Sequence, residues 1–441
     1  MKTFLFKHID NSSLIVFRII FGLLCFLESV GAIFTGWIKR VFIDPEFTFT
    51  FIGFEWLQPL PGNWMYAYYA IMGIFGFLIM IGYKYRASAL AFAILWSCTY
   101  LMQKSSYNNH YYLLMVLSFI MVILPAHRYA SIDVRLNPKL KRISMPNWCK
   151  WIFVIQLFIV YTYASAAKLY PDWLDASVVG LLMKGKANYP IIGGLLQQQY
   201  VHYFIAYAGI LFDGLIIPLL LWKKTRKYAF FASIFFHLFN SIVLQIGIFP
   251  YLSLAFTLFF FDAKTIQNIF LKKKPLYVDS EIKTPRYAKI FQIGFVIFFS
   301  IQVGLPLRHY FIKDNVLWTE EGHRLSWRMM LRSKSGSIYF TIIDRATNNT
   351  IPIRLKDHLS AKQLKNLATK PDMIWQFSQR LKRQFAKEGK TISIYVRSYV
   401  SVNGKRSQRF IDPKVDLAEI DWNSFSHSEW ILPSKPESLS Q

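Results

Sequence analysis

The chain has 441 residues, of which 54% are hydrophobic and 18% aromatic, and its mean hydropathy is +0.29. This composition excludes an ordinary soluble globular protein, since several apolar stretches approach or exceed about 18 residues, and it predicts a polytopic membrane protein. The formal net charge of +26 does not indicate a nucleic-acid partner, because the basic residues cluster in short segments between apolar stretches.

Nine membrane spans are predicted, and together they form an all-α bundle over residues 1–306. The first apolar segment is too long for a cleavable signal and predicts the first membrane helix. Proline residues support several boundaries, because proline interrupts helical hydrogen bonding. The spans lie near residues 14–36, 66–82, 87–102, 110–126, 150–168, 202–222, 228–246, 248–262 and 288–306.

The orientation of these spans follows from the distribution of lysine and arginine. With a cytoplasmic N-terminus, the inner segments carry 21 of these residues and the outer loops carry five. Positively charged loops stay in the cytoplasm. The sequence therefore predicts a cytoplasmic N-terminus and an extracytoplasmic C-terminal segment.

Residues 307–441 are predicted to form a small α+β extramembrane domain. Apolar runs on either side of Arg345–Thr350 indicate one hairpin, and residues 360–388 have helical periodicity. Asn403-Gly404 indicates a second hairpin, because this pair favours the tight type I′ turn.

Within the spans the most informative residue is Lys168, near the end of the fifth. An ammonium group in hydrocarbon costs about 2.5–3.5 kcal/mol on insertion scales, so an intramembrane lysine suggests a functional site. Burial favours the neutral amine, which could serve as a base. The alternative is a lysine at a helix end whose long side chain reaches the headgroups.

Other polar residues are predicted at membrane depth. Asn108, Asn109 and His110 open the fourth span at the outer level where the fifth span places Lys168. His237 and Asn240 share one face of the seventh span. Each histidine has the alternative of a hydrogen bond between helices without a catalytic role. Carboxylates at this depth are scarce, Glu28 and Asp213 being the main ones, and three scattered cysteines form no ligand motif, so no metal site is predicted.

Several segments resemble the vitamin K-dependent gamma-carboxylase family within the HTTM (horizontally transferred transmembrane) group. They include Ala167-Lys-Leu-Tyr-Pro-Asp-Trp, Asn108-Asn-His-Tyr-Tyr-Leu, Phe236-His-Leu-Phe-Asn-Ser and Trp327-Arg-Met-Met. The order of these segments along the chain and the nine-span topology strengthen the resemblance.

The resemblance implies a reaction. In that family a lysine deprotonates reduced vitamin K, oxygen adds to give the epoxide, and a peptide glutamate loses a γ-proton and takes up carbon dioxide. Lys168 matches the base and His110 the assisting histidine. The resemblance implies quinone or substrate binding by six further residues: Asn109, His237, Asn240, Trp327, Met329 and Met330. Phylloquinone or menaquinone would be the reduced quinone, with lipid bilayer and a glutamate-containing peptide as further partners.

Two departures from the family keep other functions open. The animal enzymes have two adjacent lysines where this chain has Ala167-Lys168, and their larger lumenal part contributes propeptide recognition and a disulfide. Residues 307–441 contain no cysteine. The alternatives are therefore a quinol epoxidase without carboxylation, and a lipid-binding or transport protein without catalytic activity; Trp327, Met329 and Met330 could equally be core residues.

Overall fold

The computed structural model describes residues 2–279, 281–329 and 332–434, and over this range the protein is mostly helical. A helix occurs at each of the nine predicted spans, and we number these helices α1 to α9. They are α1 (Ser12–Phe34), α2 (Trp64–Ile81), α3 (Tyr85–Met102), α4 (Asn109–Ile123), α5 (Trp148–Ala166), α6 (Gln199–Leu221), α7 (Arg226–Ile242), α8 (Phe249–Phe256) and α9 (Ala288–Leu307). Shorter helices lie at Lys2–Phe6, Ile132–Leu136, Pro171–Leu174, Ser177–Lys184, Ala263–Phe270, Val316–Thr319 and Leu355–His358.

Five helices of the described chain are long and apolar enough to cross a membrane: α1, α2, α5, α6 and α9 with its terminal turn to Phe311. Helices α4 and α8 are apolar but shorter. The predicted helical membrane bundle is therefore confirmed in outline, whereas the number of nine crossings stays a prediction. Helix α9 has a largely exposed apolar surface that includes Ile290, Val296 and Ile301. Such a surface is expected for a membrane-spanning helix at the edge of the bundle.

Helices α1 and α2 make the most extensive helix contact in the bundle, and two glycines allow it. A Cβ atom at Gly22 would lie 2.3 Å from the backbone nitrogen of Met80, and one at Gly76 would lie 2.6 Å from that of Phe26. Small residues let membrane helices approach to backbone contact, which increases their packing.

One end of the bundle is closed by the N-terminal segment. Strands β1 (His8–Asp10) and β2 (Ser144–Pro146) pair antiparallel. Asp10 forms a buried ion pair with Lys274 over 2.8 Å and accepts hydrogen bonds from Gln267 and from the Tyr277 backbone. The segments preceding α1, α5 and α9 therefore meet at this end.

The C-terminal region contains a four-stranded antiparallel sheet of order β4-β3-β5-β6. Its strands are β3 (Lys334–Asp344), β4 (Thr350–Ile351), β5 (Ile392–Val402) and β6 (Gln408–Arg409). Helices α10 (Ala361–Leu367) and α11 (Pro371–Lys387) accompany the sheet, and Met373, Ile374 and Phe377 of α11 lie in its core. Both predicted hairpins are present, and Asn403 and Gly404 have the positive φ angles of 56° and 77° that a type I′ turn requires.

This region lies against the loops at the other end of the bundle. Gln376 donates to the Thr50 carbonyl, Asn366 to the Ser105 carbonyl, and Asn403 to Asp172, over 3.2, 3.0 and 2.8 Å. Phe49, from the loop after α1, belongs to the hydrophobic core of the C-terminal region. The predicted domain boundary between residues 306 and 307 stays a prediction, because the two parts share core residues.

We expect Gly22→Ala to destabilise the protein. The added methyl has no space against the α2 backbone, and overpacking of this kind costs about 1–3 kcal/mol. Thermal unfolding of the detergent-purified protein would measure a lower midpoint. Gly31→Ala is the matched control, since it lies in the same helix and its Cβ would meet nothing within 4 Å. An equal change in the two variants would contradict the close-packing argument.

Candidate functional site

Lys168 lies in the turn that ends α5. Its backbone nitrogen donates to the Ser165 carbonyl over 3.0 Å, and Tyr170 is fully extended before Pro171. The residue before proline is restricted to extended conformations, so the helix cannot continue through this segment. Lys168 thus lies two residues after Ala166, the last residue of this membrane helix.

The Lys168 side chain turns into the bundle and is only 7% exposed. Its Nζ lies 2.6 Å from Oδ2 of Asp213 on α6 and donates to the Ala164 carbonyl over 3.0 Å. The Nζ atom also lies 5.6 Å from the centroid of the Trp173 ring. Snorkelling towards the headgroups therefore does not describe this lysine, which instead forms a buried ion pair between two membrane helices.

His237 lies one helix further along and is 1% exposed. Its Nε2 is 3.0 Å from the hydroxyl of Tyr161 on α5. Its Nδ1 is buried and has no hydrogen-bond partner among the described residues. Phe212, the neighbour of Asp213, lies edge-on to the imidazole at 5.6 Å between ring centroids. The imidazole thus offers one free ring nitrogen inside an aromatic environment.

His110 reaches the same environment from α4. Asn108 caps that helix by accepting from the Tyr111 backbone over 2.8 Å, which fixes His110 in the first turn. The His110 ring stacks on Phe249 with 4.5 Å between centroids, and Phe249 also contacts His237 at 5.8 Å. Phe249 at the start of α8 therefore lies between the two histidines.

No hydrogen bond or ring contact joins His110 directly to Lys168 within the described residues. Helix α4 packs mainly on α3, whereas α5 packs mainly on α6. The two residues are connected instead through Phe249, His237, Phe212 and Asp213. Helices α4 and α5 therefore do not bring the two residues into direct contact, because α7 and α8 contribute the intervening rings.

A second set of contacts holds residues 320–329, which we call the Trp327 loop. The amide of Asn109 donates to the Arg328 carbonyl over 2.8 Å and accepts from the Tyr107 hydroxyl over 2.7 Å. Trp327 is fully buried, adopts a positive φ of 56° and stacks on Tyr112 at 4.7 Å. Its indole Nε1 is buried without a hydrogen-bond partner among the described residues. Asn109 and His110, adjacent in sequence, therefore join the Trp327 loop to the histidine pair.

The remaining predicted residues differ in how far the structure describes them. Asn240 is buried on the same helix as His237, and its backbone carbonyl accepts from Ile246 over 3.2 Å. Met329 is partly buried against the bundle core. Met330 lies outside the described residues.

Three neighbours of these residues were not assigned to the site from sequence: Asp213, Tyr161 and Phe249. Asp213 carried a usable signal, since it is the only acidic residue of α6 and a buried charge requires a partner. Tyr161 and Phe249 carried no distinguishing signal in a chain with 25 tyrosines and 40 phenylalanines.

A cavity of about 200 Å³ adjoins the Trp327 loop on the side of the C-terminal region. Lys104, Arg308, Arg324 and Asp372 are among the residues that line it. Burial lowers the pKa of Lys104 to about 8. Burial alone would raise the pKa of Asp372, but Arg324 and Lys104 outweigh it and hold that pKa well below its usual range. The cavity wall therefore combines two arginines and a lysine with three carboxylates, those of Glu320, Glu321 and Asp372.

Two family models match the chain. The HTTM domain matches residues 6–264, which is more than half of the chain, and the lumenal domain of vitamin K-dependent gamma-carboxylase matches residues 287–437. No solved structure matches it. The two matches follow each other in the order of the membrane bundle and the C-terminal sheet, and the chain therefore belongs to the vitamin K-dependent gamma-carboxylase family.

Proposed function

We propose that the protein is a membrane enzyme that epoxidises a reduced vitamin K-type quinone and couples this oxidation to carboxylation of glutamate in a peptide. The observation that carries the proposal is the buried Lys168–Asp213 pair, 2.6 Å apart, beside the Tyr161–His237 hydrogen bond. A lysine is costly at membrane depth. Membership of a vitamin K-dependent carboxylase family supports a reaction for this pair, and we assign Lys168 to it as the base.

Lys168 must be a neutral amine to accept a proton, and Asp213 can take up the proton that the ammonium form loses. An ionised carboxylate beside Nζ stabilises the ammonium form. Transfer of one proton from Nζ to Oδ2 across 2.6 Å gives a free amine and a neutral acid, with no net charge left in the low-dielectric interior. We therefore assign the base function to the pair, with Asp213 holding the proton that Lys168 releases.

The groups around the pair fit a flat hydroquinone with polar edges. His237 offers a buried, unpartnered Nδ1 among the described residues, while Tyr161 holds the opposite ring nitrogen. His110 and Phe249 supply a stacked pair of rings. When bound, the reduced quinone would be oxidised by molecular oxygen, and this oxidation would supply the strong base that removes the glutamate proton.

We assign the other residues of the sequence match, including those of the Trp327 loop, to quinone or substrate binding. Trp327 supplies an unpartnered indole N–H among the described residues, and Asn109 holds its loop. Asn240, Met329 and Met330 complete the proposed set from the sequence match. Exclusion of water by the buried Trp327 would protect a carbanion from reprotonation.

Arg308 on the wall of this cavity would bind the carboxylate of a glutamate side chain, since it donates only to backbone carbonyls, whereas Arg324 is already paired with Asp372. Guanidinium groups bind carboxylates in a planar, two-pronged geometry, and the cavity adjoins the Trp327 loop. Residues 308–441 carry 23 lysines and arginines against 13 acidic residues, which favours an acidic peptide electrostatically. We assign carboxylation to this side of the bundle.

We also propose nine membrane crossings with a cytoplasmic N-terminus. The C-terminal region contacts the loops that follow α1, α3 and α5, whereas β1, β2 and Lys274 meet at the opposite end. This arrangement supports a strict alternation of the helices. The description of the C-terminal match as a lumenal domain supports its extracytoplasmic location.

We expect a single cysteine replacing Ser424 to react with an impermeant maleimide added outside intact cells, and a cysteine replacing Lys223 to react only after permeabilisation. The native cysteines are replaced by serine in this background. Mass-shift labelling on a gel would measure both reactions. Labelling of both positions from one side would overturn the proposed number of crossings.

We expect Lys168→Ala to lower both epoxide and carboxylated peptide by about 10²–10⁴-fold, the usual contribution of an acid–base group. Purified protein would receive reduced vitamin K, oxygen, bicarbonate and a glutamate peptide, and the two products would be quantified separately. Lys184→Ala is the matched control, because that lysine is exposed and should leave both rates unchanged.

Removing one member of a buried pair also costs about 3–5 kcal/mol, so stability must be measured in parallel. The double variant Lys168→Met, Asp213→Asn removes both charges and should be folded but inactive. Epoxide formation that survives Lys168→Ala would overturn the base assignment. Epoxide without carboxylated peptide would select the epoxidase, and neither product from the unaltered protein would favour a non-enzymatic membrane protein.

We expect Asp213→Asn to lower epoxide formation by about 10²-fold, because an amide cannot hold the proton that Nζ releases. The change in kcat at saturating reduced quinone would measure this loss. Unchanged or higher activity would instead mean that Asp213 only stabilises the ammonium form.

A further inference from the structure

A second large cavity lies at the end of the bundle opposite the C-terminal region. Its volume is about 390 Å³. It is formed where the N-terminal segment, the start of α3, the loop after α4, the start of α5 and the start of α9 meet. None of the residues assigned to the proposed reaction lines it.

Positive charge dominates the described wall of this cavity. Arg86, Arg128 and Lys283 line it together with His8, and the described lining includes no aspartate or glutamate. Outside the lining, Glu281 pairs with Lys283 at 2.9 Å, both side chains being more than half exposed, and Asp133 accepts from the Tyr85 backbone next to Arg86. Exposed pairs of this kind contribute little. The two arginines of the wall therefore lack an acidic partner within the lining.

The ionisable groups respond to this unbalanced charge. Burial lowers the pKa of the Arg128 guanidinium, and the charges of Arg142 and Arg86 lower it further. Burial lowers the pKa of His8, and Lys283 adds to that effect. An anion in the cavity would relieve this mutual repulsion.

The rest of the lining is apolar or aromatic. Trp148 at the start of α5 and Tyr287 beside α9 lie on the wall, and Phe6 and Ile123 complete its apolar side. Tryptophan and tyrosine concentrate at the level of lipid headgroups, where one edge of the ring is apolar and the other is hydrated. Ile123 and Tyr287 are 48% and 63% exposed, so the apolar side of the cavity is open to the surroundings of the bundle.

We propose that this cavity binds the phosphate of an anionic phospholipid, with Arg86 and Arg128 on the phosphate and the acyl chains against Ile123 and Tyr287. Basic pockets between membrane helices on the cytoplasmic side bind phosphate headgroups. Arginine provides the planar donor fork that suits a phosphate. The apolar wall distinguishes a lipid from free phosphate, which has no group to place there. This site is independent of the proposed quinone chemistry.

The test uses full-length protein in nanodiscs of phosphatidylcholine that contain a minor fraction of phosphatidylglycerol. Native mass spectrometry would count the lipids that remain bound after release. We expect the unaltered protein to retain one phosphatidylglycerol in preference to phosphatidylcholine. The variant Arg86→Gln, Arg128→Gln should retain at least about tenfold less phosphatidylglycerol.

The matched control is Lys223→Gln, Lys224→Gln, which removes the same charge from exposed residues on the loop between α6 and α7. It should retain the lipid. Thermal unfolding of both variants in phosphatidylcholine alone verifies that each is folded. Equal loss in the two variants, or no preference over phosphatidylcholine, would overturn the proposal. Displacement of phosphatidylglycerol by millimolar inorganic phosphate would overturn the lipid assignment in favour of a free-anion site.

Discussion

The buried ion pair between Lys168 and Asp213 is the interaction on which the arrangement of the candidate site depends. It joins the end of α5 to the middle of α6, and it removes two full charges from water at a depth where each is costly. Such a pair is weak evidence of stability, since apolar residues of similar volume would often serve the fold as well. Its presence therefore supports the proposal that the pair takes part in proton transfer.

The C-terminal region contributes to this site through the segment that follows Lys168. Asp172 accepts a hydrogen bond from Asn403 at 2.8 Å and pairs with Lys405 at 2.8 Å, so the type I′ turn holds the segment in place. On the other side, Asn109 of α4 holds the Trp327 loop. The membrane bundle and the sheet are thus connected on both sides of the proposed quinone environment, which suits a reaction whose two substrates arrive from lipid and from water.

Charge is distributed differently at the two ends of the bundle. The end near the C-terminal region combines lysine and arginine with the ionised Asp372 and Glu320 in compensated clusters. The opposite end has arginines on a cavity wall that lacks carboxylates among its described residues. Compensated charge can be buried in protein, whereas uncompensated charge requires water or an anionic ligand. Carboxylates therefore compensate the positive charge at the end near the C-terminal region, whereas the positive charge on the opposite cavity wall is available to an anion.

Much of the fold followed from local sequence. Apolar length placed the helices, Pro171 ended the fifth, and Asn403-Gly404 specified its turn, because each of these depends on residues close in the chain. The unusual position of Lys168 and the His237–Asn240 face were also visible without coordinates. What the sequence could not provide was the partner of each polar group. Asp213 lies 45 residues from Lys168, and Phe249 and Tyr161 are ordinary aromatic residues until packing places them beside the two histidines. The sequence by itself determined which residues are costly to bury; only the tertiary structure decided their neighbours, because helix packing depends on side-chain shape summed over the whole bundle.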